Sequence, residues 1–247
     1  MPSPVLIVCH PGHELRVHGW LCEARPVVCV LTDGSGGGRP PRTESSRRVV
    51  TAARASVGPV FGEVPDAELY QKVIDRDWPF FLNLADRLAG VIAAVGPDVV
   101  VADAAEGYNP GHDVCRLLTD TAVLLSGQSG LNLAFPVADL TLTGEPVRHL
   151  RLSPAALAAK HAAARGYAEM GDEVTAAVGR FGEGAFADER FYAVEPFRLP
   201  AGHPRYESFG RDRVAAGRYA SVIRREHLEP LLTALRAHAQ RGPSCDR

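Results

Sequence analysis

Three short apolar runs most constrain what this chain can fold into: residues 5–9, 27–31 and 99–102, the last preceded by the Gly96-Pro97-Asp98 breaker. Each is rich in valine, leucine and isoleucine, and none alternates with polar residues, which is the pattern of strands covered on both faces. Stretches of helical character separate them, with helices expected over 14–23, 44–57, 78–95, 113–125 and 154–170. Parallel strands need such long crossovers, so the expectation is an α/β, Rossmann-like, mostly parallel sheet with helices on both faces.

The 247 residues are enough for a sizeable core, and one domain is expected over 1–247. From about residue 171 the chain is less regular and studded with aromatics such as Phe181, Phe191 and Tyr206. It reads as a C-terminal extension over the core that closes with a helix at 228–239. The formal net charge is −2 and the isoelectric point near 6.5, so general affinity for nucleic acid or anionic membranes has no electrostatic basis. A small-molecule substrate is the expected partner, and a homo-oligomer is compatible with the sequence. The start, MPSPVLIVCHPGHE, lacks a basic leader and breaks its apolar run early, which predicts a cytoplasmic protein with no membrane span. Cysteines at 9, 22, 29, 115 and 245 show no CxxC spacing, so neither a disulfide framework nor a cysteine-rich zinc site is expected.

Two strand ends carry similar tetrads, Pro11-Gly12-His13-Glu14 and Pro110-Gly111-His112-Asp113. One histidine in a turn is more often a surface residue than a ligand; the recurrence carries the argument. The C-terminal edge of an open α/β sheet is where ligands bind. With His10 preceding the first tetrad, three imidazoles from two loops can complete a catalytic zinc site that leaves a position for water. Other divalent transition metals are also accepted by imidazole. The glycine-rich stretch after Asp33 matches neither GxxxxGK[ST] nor GxGxxG and reads as a mobile loop over the strand ends, with Asp33 as a pocket or turn residue.

His10-Pro11-Gly12-His13-Glu14 resembles the HPDDE motif of the PIG-L/LmbE-like zinc-dependent N-deacetylases, and Asn109-Pro110-Gly111-His112 resembles their HPDH. The resemblance covers about the first 170 residues, including the glycine-rich loop and the Arg42-x-Glu44 helix start. It implies His10, His13 and His112 as metal ligands, with His13 in place of an aspartate, and N-acyl hydrolysis on an amino sugar or natural-product intermediate. Two positions depart from the pattern: Gly12 stands where the family has its general-base aspartate, and Asn109 where a histidine steadies the oxyanion. Replacement bases are then sought in Glu14, Glu106 and Asp113. Asn109 or Tyr108 becomes the oxyanion donor, while Tyr108, Arg205 and Asp33 are candidates for binding substrate. Two alternatives stay open: a metalloenzyme of specialised metabolism with different chemistry, and a non-catalytic metal- or ligand-binding module.

Overall fold

The three apolar runs form the middle of the sheet. In the computed structural model, which describes residues 3–242, they are β1 (Val5–Val8), β2 (Val27–Thr32) and β4 (Val99–Asp103). With β3 (Ser56–Val64), β5 (Leu131–Phe135), β6 (Arg148–Arg151) and β7 (Asp188–Ala193) they make one sheet of seven strands among the described residues, ordered β3-β2-β1-β4-β5-β7-β6. The pairs from β3 to β5 are parallel; β7 runs antiparallel to both β5 and β6. The α/β expectation therefore holds, with an antiparallel edge added to it.

Successive side chains of a strand face opposite sides, so each central strand feeds two cores. Val5, Ile7 and Cys9 join Val100 and Ala102 against α3 (Asp66–Ile74), α4 (Trp78–Val95), α5 (Pro110–Ser126) and α9 (Arg225–Gln240). Leu6 and Val8 join Trp20, Val101, Leu133, Phe135, Tyr167 and Phe191 on the other side. There lie α1 (His18–Ala24), α2 (Thr43–Ala52) and α6 (Pro154–Arg165), followed by α7 (Gly171–Phe181); α8 (Arg205–Ala215) comes from the C-terminal part. Taken alone, α4 is 18 residues of mean hydropathy 1.3, long and apolar enough to cross a membrane. Its Phe81, Leu84, Leu88 and Ile92 are buried in the first of these cores.

Several expected boundaries move. The helix over 14–23 is a 3-10 turn, His13–Val17, followed by α1, with Val17 at φ −118° between them. The helix over 44–57 stops at Ala52, because Arg54 turns the chain at φ 59°. Residues from Ser56 become edge strand β3, whose Gly58, Pro59 and Gly62 mask its strand character and accompany its register shifts. The helix over 154–170 ends at Arg165, and a 3-10 turn, Ala168–Met170, leads into α7. The closing helix starts earlier, at Arg225, and carries Pro230 within it. Cys9, Cys22, Cys29 and Cys115 hold free thiols; Cys245 lies outside the described residues.

Candidate metal centre

Strand order decides where function can sit. β1 lies between β2 and β4, so the chain leaves β1 to one side and returns to the other, which opens a crevice at the C-terminal ends of β1 and β4. The register Val5↔Val100 and Ile7↔Ala102 brings the loops after both strands to one level. The first carries His10 and His13. The second ends at Asn109, which caps α5 by accepting from Gly111 N at 2.8 Å, with Pro110 at the first helical position. His112 then stands on the first turn of α5.

The three imidazoles meet. Ring centres are 5.2 Å apart for His10 and His13, 5.7 Å for His10 and His112, and 4.7 Å for His13 and His112, with interplanar angles of 90°, 61° and 86°. Rings that each give one nitrogen to a tetrahedral ion at about 2.0–2.1 Å have centres about 5 Å apart. Among the described residues no group of three His, Cys, Asp or Glu side chains is set closely enough to hold a metal ion as it stands, so the case for one rests on the ring spacing and on what lies behind each ring.

Behind each ring is a carboxylate on the Nδ1 side. His10 Nδ1 lies 2.7 Å from Thr32 Oγ1 and 3.1 Å from Asp66 Oδ1. Thr32 donates its own proton to the Cys9 carbonyl at 3.0 Å, so it accepts from His10. His13 Nδ1 lies 2.8 Å from Asp103 Oδ2, which also accepts from Cys9 N at 2.8 Å. His112 Nδ1 faces Glu106 Oε2 at 3.8 Å, beyond hydrogen-bond reach, and is buried without a partner, as is Asp103 Oδ1. For His10 and His13 the acceptors behind Nδ1 assign the proton there and leave Nε2 with the free lone pair, the arrangement that metal-ligating histidines use.

Burial disfavours the charged form of two of the rings. Burial lowers the His112 pKa to about 4, and the neighbouring His13 and His10 add to it. Burial also drives His13 well below its ordinary value, with His10 and Arg42 lowering it further. Asp103 rises to about 6, chiefly through burial. Burial pushes Asp66 upward too, but the His10 ring and Arg42 outweigh it and hold the carboxyl below the usual range.

None of the three carboxylates expected as bases lines the cavity at the triad. Glu14 is fully buried; its Oε2 accepts from Gly12 N at 2.7 Å and its Oε1 from Tyr167 at 3.4 Å. Glu106 accepts from the backbone of Val137, Ala138 and Asp139. Asp113 accepts from Gly107 N at 3.1 Å, deep under the loop, where burial raises its pKa to about 7. All three carboxylates are instead taken up by backbone N–H groups. Asp33 is likewise a turn residue, accepting from Ser35 N at 2.9 Å. Arg205 stacks over Tyr108, 4.9 Å from the ring centre, and reaches Asp139 at 3.3 Å, without lining the cavity.

Asn109 and Tyr108 do line it. Asn109 Oδ1 also accepts from Tyr70 Oη at 3.0 Å, which leaves its Nδ2 for a ligand, and Tyr70 Oη is 3.5 Å from His10 Nε2. Tyr108 is tilted beside His112, with ring centres 6.4 Å apart.

Gly12 has a positive φ of 105°, and a Cβ built on it would stand 2.2 Å from Met170 Sδ and 2.9 Å from Met170 Cε. The thioether at the end of the Ala168–Met170 turn thus fills the space that a side chain at position 12 would need. Sequence reasoning missed this residue, as it missed Thr32, Asp66 and Tyr70, since they lie on elements remote in sequence from either motif. Asp103 had a signal, an acid closing the apolar run VVVAD.

The triad opens into a cavity of about 570 Å³, bordered by the glycine-rich loop and by α7. That loop is tied down by Gly36 N to Asp66 Oδ2 at 2.9 Å and Gly37 N to Tyr219 Oη at 3.0 Å.

No family model matches this sequence, and no curated protein matches it. Solved structures are. A deacetylase of the teicoplanin biosynthetic pathway, as a triple mutant, superposes with a TM-score of 0.55 at 15% identity, covering 77% of this chain and 97% of its own. The fold is theirs. The conserved protein TT1542 of Thermus thermophilus gives 0.54 at 20% identity, over 82% of this chain and 99% of that one. The A40926 pseudoaglycone deacetylase Dbv21 gives 0.51 at 15%, over 81% and 99%. The zinc-inhibited form of the teicoplanin deacetylase Orf2 gives 0.50 at 13%, over 78% and 99%. At these identities the likeness speaks to architecture alone.

Proposed function

We propose that this chain is a metal-dependent hydrolase of the N-deacetylase type, cleaving an N-acyl amide of a small polar substrate, with zinc held by His10, His13 and His112. The observation that carries the reading is the convergence of three imidazoles, each with a carboxylate on its Nδ1 side. Deacetylases of the same fold, one in a zinc-inhibited form, support it. When bound, zinc supplies Lewis acidity toward a carbonyl oxygen and lowers the pKa of water.

The chain's own residues would do the rest. Thr32, Asp66 and Asp103 orient the imidazoles and fix their tautomers. Asn109 Nδ2 donates toward the oxygen that gains charge as the substrate amide is attacked, and Tyr70 Oη holds the Asn109 side chain in place by donating to its Oδ1. Among the described residues, the carboxylates that line the triad cavity, Asp66 and Glu173, are engaged by His10 and by Arg39 and Arg42, so the proton of the attacking water would have no strong local base. Three neutral ligands in place of two and a carboxylate leave more charge on the centre, which lessens that need.

A second reading, a centre that binds without hydrolysing, is favoured by Met170 in the place of a position-12 side chain. The experiment uses purified full chain. Metal content is measured before and after chelation and zinc reloading, and the loaded protein is incubated with a panel of N-acetylated sugars and amino acids, with acetate release as the readout. One zinc per chain, lost in His13→Ala, with acetate released from some member, is the expected result. Stoichiometric zinc without acetate from any member moves the conclusion to the second reading, and absence of zinc binding overturns both.

A further inference from the structure

Beside the triad cavity lies a second chamber of about 350 Å³ between α3, the start of α5, α8 and the segment after it. The two are continuous, because Tyr70, Tyr108, Asn109, Arg213 and Tyr219 line both. Its walls are chiefly aromatic and aliphatic. Tyr108 meets Phe209 edge to face at 5.3 Å and Tyr70 meets Tyr219 at 6.0 Å, while Ile74 and Ile223 close the apolar side. Phe209, 38% exposed, stands at its lip. Its polar side chains are few, Gln71, Asp212 and Ser221 among them, so a sugar ring would leave hydroxyls poorly matched while a flat aryl ring would not.

Charge on the larger cavity is lopsided, with seven Lys and Arg side chains along its lining against Asp66 and Glu173. Most of the seven are engaged. Arg39 and Arg42 share Glu173, Arg180 pairs with Asp139, Lys160 with Glu189, and Arg16 donates to the carbonyls of Pro136 and Asp139. Arg213 and Arg218 make no ion pair among the described residues, and both face the cavity beside the aromatic chamber.

We propose that the substrate is an N-acylated aromatic amino acid or a close relative, with its aryl group in the second chamber, its carboxylate between Arg213 and Arg218, and its amide at the imidazoles. This rests on the hydrolase reading for the amide alone; the aryl and carboxylate subsites stand on their own walls. Guanidinium recognition of a carboxylate is charge-assisted and directional, which suits Arg213, shared by the two chambers, and Arg218 on the wall of the first.

Calorimetric titration of the full chain, with and without zinc, tests it using N-acetyl-L-tyrosine, N-acetyl-L-tyrosinamide and N-acetylglucosamine. N-acetyl-L-tyrosine is expected to bind about 10-fold tighter than either of the others. An Arg213→Gln/Arg218→Gln variant, checked for folding by its thermal melt, is expected to lose that advantage over the amide. Phe209→Ala should weaken both tyrosine ligands and leave the sugar unchanged. Equal affinity for sugar and tyrosine ligands, no response to the double arginine variant, or no binding of any tyrosine ligand would overturn the assignment. Turnover is read separately: N-acetyl-L-tyrosine bound as expected but uncleaved by the zinc-loaded chain defeats the hydrolase reading and leaves the subsites standing.

Discussion

Position 12 shows how one residue sets the chemistry available to a site. Its positive φ is strained for any side chain, and Met170 Sδ already fills the direction a Cβ would take. Gly12→Ala is therefore expected to cost about 2 kcal/mol or more, from backbone strain plus overpacking. Adding Met170→Ala should return only the packing part, so urea denaturation of the two single variants and the double variant would give a coupling of about 1 kcal/mol. Additive effects would mean that the two side chains do not compete for the space. A second residue-scale expectation concerns Asp113, whose folded pKa of about 7 lies above the ordinary carboxyl value. As pH rises from about 4 towards 7, the unfolded chain releases this proton while the folded one keeps it, so the unfolded state gains and stability falls. Asp113→Asn removes that loss. Its stability relative to the parent should grow across this window and level off above it, as read from denaturant melts at several pH values.

At the scale of elements, β7 does more than cover one side of the core. It enters the sheet between β5 and β6 and carries Glu189, which is 1% exposed. Its Oε1 accepts from Gly19 N and Lys160 Nζ, both at 2.8 Å, and its Oε2 from Trp20 N at 2.8 Å. One carboxylate thus satisfies the first turn of α1 and the cation of α6, joining three elements far apart in sequence. Glu189→Ala leaves an unpaired buried ammonium and two unmet backbone donors, and an expected loss of about 3–5 kcal/mol follows. A thermal melt shifted by less than a degree would contradict that assignment. The same element explains why the last third resisted reading: DERFYA is short and flanked by 3-10 and irregular chain, and its antiparallel partners at 131–135 and 148–151 cannot be inferred from its own pattern.

For the whole molecule, the triad links the loops after β1 and β4, so zinc binding should stabilise the fold as a unit. At about 100 times its dissociation constant the gain is about 2.7 kcal/mol, or a rise of about 5–10 °C in Tm for a chain of this size. His112→Asn should abolish the zinc-dependent rise measured by calorimetry while the apo melt remains. An unchanged rise in that variant would mean that zinc binds elsewhere.

The amino-acid sequence by itself determined the parallel centre of the sheet and the edge where the histidines stand. Uninterrupted apolar runs and Pro-Gly-His turns act locally, and strand order follows from a few topological rules. Helix ends were less legible, because a residue such as Arg54 in the left-handed region ends an element without a strong compositional sign. Only the tertiary structure decided what surrounds each imidazole: Asp66 from the start of α3 behind His10, Met170 from beyond α6 against Gly12, and Tyr219 from beyond α8 on the glycine-rich loop. Those contacts join residues separated by tens to hundreds of positions. Their selection depends on how helices pack across the sheet, a property no single segment carries.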